Sequence, residues 1–464
     1  MNRYEKLGKN IGLITIGSAS SKLLNFLLLP LYTNILTSGE YGISDLIFTI
    51  VGLALPFFLC VIYEPLMRFT LTDKENAQNH FCTAVFVWII GTGIMLLCSP
   101  VVFLSELLKP YYLYIILYYL GYSTYTMLSY FIRGIEKINI YTISGIINTF
   151  SIICLNIVFL VFFRLGVRGY LLAYIISQMV SSVFLFVFGK LYKYFSVKKI
   201  FEHNYLKEMI RYSLPMVPNS ISWWISNYSD KYVMLMYYPA SALGIYSISY
   251  KIPSLCSVFS QIFSTAWEIS AVEDFGSEES KSMFSNIYEL YSTFLIVITS
   301  FLILSTKILA SLLFKKDFFA AWQYVPFLLI GTAFHSLSGF LGTIFTSAKK
   351  TNNLFVSTFA GAILNIVLNL ILIPKYAAFG AAFATMTSYV IVYIIRLVKS
   401  RQYLKFKIDA VNSCICLLVI IVQTFVILYT ESYISLIMIV CFILILILRK
   451  KYVLALASKF IHRK

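Results

Sequence analysis

Charge is what this sequence has least of. Only 12% of its 464 residues are Asp, Glu, Lys or Arg, where a soluble domain carries about 25%. Acidic residues are the scarcer sign, 20 against 37 basic. A chain that is 59% hydrophobic has more apolar side chain than a soluble core of this length can hide. There is also no polar stretch long enough to form an aqueous catalytic or nucleic-acid-binding domain. The net charge of +17 therefore points to basic loops beside a membrane rather than to nucleic acid. The eight cysteines (Cys60, Cys82, Cys98, Cys154, Cys256, Cys414, Cys416, Cys441) all lie in or beside apolar runs. Cys414 and Cys416 match neither CxxC nor a zinc spacing, so no disulfide framework or metal site follows. No Walker motif occurs, which excludes ATP hydrolysis by a P-loop, and nothing implies a cofactor.

What is present is a succession of long apolar runs. A helix needs about 20 apolar residues to cross the hydrocarbon. Windows of that size predict fourteen spans, near 11–36, 42–69, 81–105, 111–132, 141–163, 169–189, 212–237, 244–268, 285–313, 322–346, 353–373, 379–397, 409–429 and 433–448. The run after Asn10 is too long for a signal-peptide core and lacks a small-residue cleavage pattern, so it reads as the first span. With the N-terminus inside, 26 Lys and Arg fall in cytoplasmic segments, counting Arg396 at the cytoplasmic end of its span. Only Lys109, Arg164, Arg168, Lys315, Lys316 and Lys375 fall in outer loops. That bias predicts both termini in the cytoplasm. The class expected is all-α: a polytopic membrane protein with about 14 transmembrane helices.

The longest connection, from Leu191 to Arg211, reads as a basic interfacial helix with Phe195, Ile200, Leu206 and Ile210 among lysines. It divides the chain into an N-terminal six-helix lobe (1–190), a cytoplasmic linker (191–211), a second six-helix lobe (212–400) and two extra helices with a basic tail (401–464). The lobes echo one another weakly. Leu36-Thr-Ser-Gly-Glu-Tyr-Gly42-Ile43 matches Tyr238-Pro-Ala-Ser-Ala-Leu-Gly244-Ile245 at an offset of 202. Asn156 with Gly169–Ala173 matches Asn369 with Gly380–Ala384, where the glycines are 211 apart. An even number of spans per unit predicts lobes related by an axis along the membrane normal, the build of an alternating-access transporter.

Charges inside spans are costly, about 2.5–3.5 kcal/mol at the bilayer centre, so each is a functional candidate. Lys22 lies too deep in span one to snorkel. Glu64 and Arg68 share a face of span two at i and i+4. Asp230 and Lys231 are adjacent in span seven, Lys251 sits near the outer end of span eight, and His335 is mid-span ten. Lys22, Arg68, Lys231 and Lys251 give the cavity a cationic balance that suits an anion such as a diphosphate. Trp223 and Trp224 are candidates for stacking on sugars.

Five local features carry a family resemblance: Glu40-Tyr41-Gly42 after span one, Arg133-Gly134 after span four, Ser213-Leu214-Pro215 opening span seven, Asp230-Lys231, and Gly244-Ile245-Tyr246-Ser247. In this order and placement the chain resembles the polysaccharide-transporter family of the multidrug/oligosaccharidyl-lipid/polysaccharide exporter superfamily, with O-antigen flippases the nearest type. That family often has Arg where this chain has Lys231, and Lys is a point charge rather than a fork. The resemblance implies two lobes in the MATE-like arrangement. It implies transfer of an undecaprenyl-diphosphate-linked oligosaccharide to the outer leaflet of a bacterial cytoplasmic membrane, for surface polysaccharide synthesis. Coupling to H+ or Na+ through Glu64, Asp230 or His335, and a polysaccharide polymerase as partner, belong to the same expectation.

Two other readings compete. An ion-coupled drug or metabolite exporter of the same superfamily would prefer a carboxylate-dominated cavity for organic cations. A membrane polymerase or ligase needs a sizeable aqueous domain or a long outer loop with clustered acids and His, and the outer loops here are short. The chain is therefore expected not to be an enzyme.

Overall fold

The computed structural model describes residues 26–200, 205–273, 275, 280–348, 350, 352–430 and 434–461, and these contain helices and no strand. The chain divides into two compact units, 1–228 and 229–464.

The first unit contains α1 (Leu29–Ile35), α2 (Ser38–Phe58), α3 (Tyr63–Thr72), α4 (Ala77–Cys98), α5 (Tyr112–Gly134), α6 (Ile138–Asn156) and α7 (Gly166–Phe188). The short helices α8 (Val197–Ile200) and α9 (Leu206–Ser213) follow. Helix α10 (Met216–Tyr237) runs across the division. The second unit continues with α11 (Ala240–Ser249), α12 (Lys251–Glu273), α13 (Ser280–Leu313), α14 (Val325–Ser347), α15 (Asn352–Ser400), α16 (Ala410–Tyr429), α17 (Ile434–Leu448) and α18 (Lys450–Ile461). At 49 residues α15 would be about 74 Å long if straight, more than twice the hydrocarbon thickness. It is two helices meeting at Ala377, whose φ is 48°. Among the described residues, eight helical stretches are long and apolar enough to cross a membrane by length and composition alone. Most of the first predicted span, 11–36, lies outside the described residues; beyond it the helices follow the predicted spans, and the polytopic all-α class holds.

Two predicted spans are interrupted. The second, read as continuous over 42–69, breaks after Phe58 and resumes at Tyr63. Pro56 loosens the end of α2, and Cys60 and Val61 adopt left-handed φ of 48° and 55°. For β-branched Val61 that is a genuine outlier. The backbone carbonyl of Phe58 there lies so near Gly91 of α4 that any Cβ at residue 91 would collide with it. The eighth span, read as continuous over 244–268, breaks between α11 and α12 at Tyr250.

In lipid, every buried polar group needs an internal partner. Many Ser and Thr side chains in the spans meet this demand locally. Thr33 donates to the Leu29 carbonyl, Ser177 to Ala173 and Ser388 to Ala384, each one turn back. The outward faces are apolar: Leu104, Leu97 and Phe162 are 86%, 82% and 74% exposed, as lipid-facing side chains can be without cost. Of the connection expected to be a basic interfacial helix, the described residues 191–200 and 205–213 form short helices packed on the first unit. Leu191, Ile200 and Met209 are buried in one cluster with Phe81, Cys82, Phe131 and Leu185.

The weak internal repeat has a backbone counterpart. Thr37 (φ −73°, ψ 158°) and Pro239 (φ −66°, ψ 160°), 202 positions apart, hold matching extended N-cap conformations. At the second offset of 211, Gly166 and Ala377 both turn left-handed, φ 56° and 48°. Asn156 and Asn369 are both fully buried.

Candidate functional site

The most developed polar constellation is in the second unit. Asp230 on α10 is 2% exposed. Its Oδ2 accepts from the Tyr246 hydroxyl at 2.5 Å and the Tyr250 hydroxyl at 2.9 Å, and the two phenol oxygens lie 2.8 Å apart. Its Oδ1 accepts from the Lys231 backbone N–H at 2.9 Å. Tyr246 and Tyr250 sit at i and i+4, on one face of α11 and its C-cap, and so reach the same oxygen. The neighbouring Ser229 donates to Asn365 Oδ1 at 3.1 Å, and Asn369 Nδ2 donates to the same oxygen at 2.9 Å. A buried carboxylate met by two phenol hydroxyls and a backbone N–H is a candidate to take up a proton or a small cation. Lys231 is also buried, 6% exposed. Lys251 opens α12 half-buried. His335 on α14 packs its ring against Tyr389, 4.7 Å between centroids.

The remaining candidates lie elsewhere. Lys22 is outside the described residues. Glu64 and Arg68, on α3 of the first unit, share a face but take different partners. Glu64 Oε1 accepts from Tyr130 at 3.1 Å. Arg68 Nη1 donates to the Tyr212 hydroxyl at 2.7 Å and lies over that ring. Arg133 stands against the faces of Tyr130 and Tyr141, at 3.9 and 5.0 Å. Trp224 is committed to packing, its Nε1 donating to the Thr49 carbonyl at 3.0 Å. Glu40 of the resembling motif does structural work at two helix starts. Its Oε2 completes a capping box with Thr37 at the N-terminus of α2, and its Oε1 accepts from Val167 N at 3.4 Å at the start of α7.

Sequence reasoning missed two buried charges. Arg396 stands at the cytoplasmic end of the predicted span 379–397, where a basic residue reads as snorkelling, yet it is 4% exposed. Its guanidinium donates to three neutral oxygens: Ser357 Oγ (3.0 Å), the Ser338 carbonyl (2.8 Å) and Thr358 Oγ1 (3.0 Å). Arg449, the first residue after the last span, forms a buried 2.6 Å ion pair with Glu289 of α13. Glu289 also accepts from the Asp409 N–H at 2.7 Å. Both arginines sit at span ends, where a basic residue usually means a solvated flank. Asp409 itself caps α16. Asn412 donates to it through its side chain and backbone N–H, holding the carboxyl below its usual range. Among the described residues no cluster of His, Cys, Asp and Glu is arranged to hold a metal ion.

Fold and helix pattern together define a multi-pass membrane protein with the fold of transporters of the MOP superfamily. A multidrug resistance MATE family transporter of that superfamily, in an inward-facing conformation, superposes with a TM-score of 0.69 at 16% identity, over 82% of this chain and 94% of that one. Lipid II flippase MurJ in its inward closed conformation superposes with a TM-score of 0.68 at 15% identity, over 97% of this chain and all of that one. The chain belongs to the family described as polysaccharide biosynthesis protein, whose model matches residues 7–267. A second model, described as MatE, matches residues 215–371. Two uncharacterized membrane proteins of Methanocaldococcus jannaschii are 21% and 22% identical, over 86% and 82% of this chain and 84% and 95% of their own.

Proposed function

We propose that this protein is a flippase that carries undecaprenyl-diphosphate-linked oligosaccharide repeat units from the cytoplasmic to the outer leaflet of a bacterial cytoplasmic membrane. It acts by alternating access, with both termini in the cytoplasm and two six-helix lobes, 1–190 and 212–400, as the moving parts. The family match over residues 7–267 carries this reading. The likeness to a lipid II flippase supports it, because it extends over 97% of the chain, C-terminal helices included, where the multidrug transporter covers 82%.

The diphosphate is taken by cationic side chains among Lys22, Arg68, Lys231 and Lys251. Asp230 is the favoured ion carrier of the three candidates, because its carboxylate is buried and met by two phenols. Glu64 and His335 remain as alternatives for H+ or Na+, and a polysaccharide polymerase consumes the product.

Deleting the gene should abolish surface polysaccharide and leave its lipid-linked repeat unit on the inner leaflet. Lys22→Arg should restore export and Lys22→Ala should not, at equal membrane expression. Asp230→Asn should remove the dependence of flipping on the ion gradient. Polysaccharide left intact by the deletion would sink the reading and favour export of a drug or metabolite.

A further inference from the structure

One cavity in the second unit is not used by the mechanism above. It is a groove of about 200 Å³ with walls from α13, α14, the second half of α15, and α16. Each helix presents one stripe to it, as the spacing of Leu295, Ile330, Leu397 and Leu417 and their neighbours shows. Along α13 its lining runs from Tyr288 to Thr299, about 16 Å at 1.5 Å per residue. That is half the ~30 Å hydrocarbon thickness, the depth of one leaflet.

The two ends differ in chemistry. The deep end is aliphatic apart from Thr299. At the other end are Arg401 and a wall pair of phenols, Tyr288 and Tyr393, 2.5 Å apart. Arg401 is exposed, Lys405 and Lys407 lie on the same connection, and Lys399 is in the last turn of α15. None of these four makes an ion pair among the described residues. The one acidic residue of that connection, Asp409, is engaged by Asn412. Ala410 and Cys414 are exposed along the edge of the groove, which leaves α16 only partly seated on its neighbours.

We propose that this groove holds one anionic glycerophospholipid, with an acyl chain along the aliphatic stripe and its phosphate at Arg401 and the adjoining lysines. Uncompensated basic residues at the headgroup end of a slot between spans are the electrostatic signature of such a site. A slot one leaflet deep matches a single fatty acyl chain and not a much longer polyprenyl tail. The bound lipid fills the gap between α16 and the α13–α15 bundle.

The test is thermal unfolding of the detergent-purified protein with added phosphatidylglycerol, phosphatidylcholine or undecaprenyl phosphate, together with mass spectrometry of co-purified lipid. Phosphatidylglycerol should raise Tm and phosphatidylcholine should not. Arg401→Ala should weaken the apparent affinity for phosphatidylglycerol roughly fivefold, the worth of one interfacial charge. Leu417→Trp, which fills the slot, should abolish the shift and the co-purified lipid. Should that variant not fold, Cys414→Trp at the exposed edge tests the same point. Equal stabilisation by phosphatidylcholine overturns the proposal, as does a phosphatidylglycerol shift that survives the slot-filling variants. Undecaprenyl phosphate outcompeting phosphatidylglycerol also overturns it, and would assign the groove to the substrate's tail.

Discussion

Glu289 and Arg449 meet at 2.6 Å inside the second unit although 160 residues separate them in the chain. The Arg449 guanidinium also donates to Ser413 Oγ at the start of α16, at 2.5 Å. One ion pair therefore ties α13, α16 and the α17–α18 junction together. Breaking a buried pair leaves the other charge uncompensated, at about 3–5 kcal/mol, whereas replacing both partners with apolar groups is often neutral. Glu289→Gln and Arg449→Met should each lower Tm sharply in detergent, and Glu289→Leu combined with Arg449→Met should recover most of the loss. Additive losses in this double-mutant cycle would show that the two side chains do not act as a pair.

Arg396 poses a different demand, because its three partners are neutral oxygens held in fixed directions by two helices. A lysine keeps the charge but offers one compact ammonium in place of a planar fork. Arg396→Lys should destabilise by about 1–3 kcal/mol, the range for a buried polar group left unmet. An unchanged melting temperature would contradict this account.

The break in the second span should respond oppositely to two small changes. Val61→Gly removes a left-handed penalty of roughly 1–2 kcal/mol in the folded state, offset in part by the greater freedom of glycine in the unfolded chain. It should be neutral or mildly stabilising. Gly91→Ala puts a methyl group into the Phe58 carbonyl and should destabilise. Comparing the two by thermal melts decides whether the break is imposed by packing against α4.

Asp409 makes stability depend on pH in a defined window. Its folded pKa lies below the ordinary 3.8, because Asn412 donates to the ionised carboxyl. A depressed carboxyl stabilises above its unfolded pKa and loses that contribution as pH falls through the folded value. The contribution of Asp409 to Tm should thus be flat from neutral pH down to about 5 and fall only below about 4. Asp409→Ala should cost about 1 kcal/mol at neutral pH, as for other N-caps, and should lose less on acidification than the wild type.

The helices themselves were legible from hydropathy, because lipid imposes one length and one composition on every span. Asp230 was legible because a carboxylate in such a run has no bland explanation, and Tyr246 was already inside a resembling motif. The break at Cys60–Val61 was not, since no glycine marks it and Pro56 stands four residues early; the break at Tyr250 has its signal in Pro253, which cannot bond the Ser249 carbonyl, and a hydropathy window does not register it. Arg396 and Arg449 were hidden for a different reason. A basic residue within a turn of a span end looks the same whether it snorkels to water or turns inward. Only the positions of Ser338, Ser357, Thr358 and Glu289, set by tertiary packing, distinguish the two cases.

The clamp on α13 also has a bearing on biogenesis. Ser300 of α13 donates to Gln423 of α16, which in turn donates to the Met438 carbonyl of α17. These contacts and the Glu289–Arg449 pair are all made to segments translated long after α13. At about 5–20 residues per second, the 160 residues between Glu289 and Arg449 take roughly ten to thirty seconds to emerge. For that interval the nascent protein holds a helix whose carboxylate has not yet met its arginine. The span that ends at Arg449 is the one that brings this partner to α13, and a chain arrested before Arg449 presents quality control with an unpaired acid to recognise.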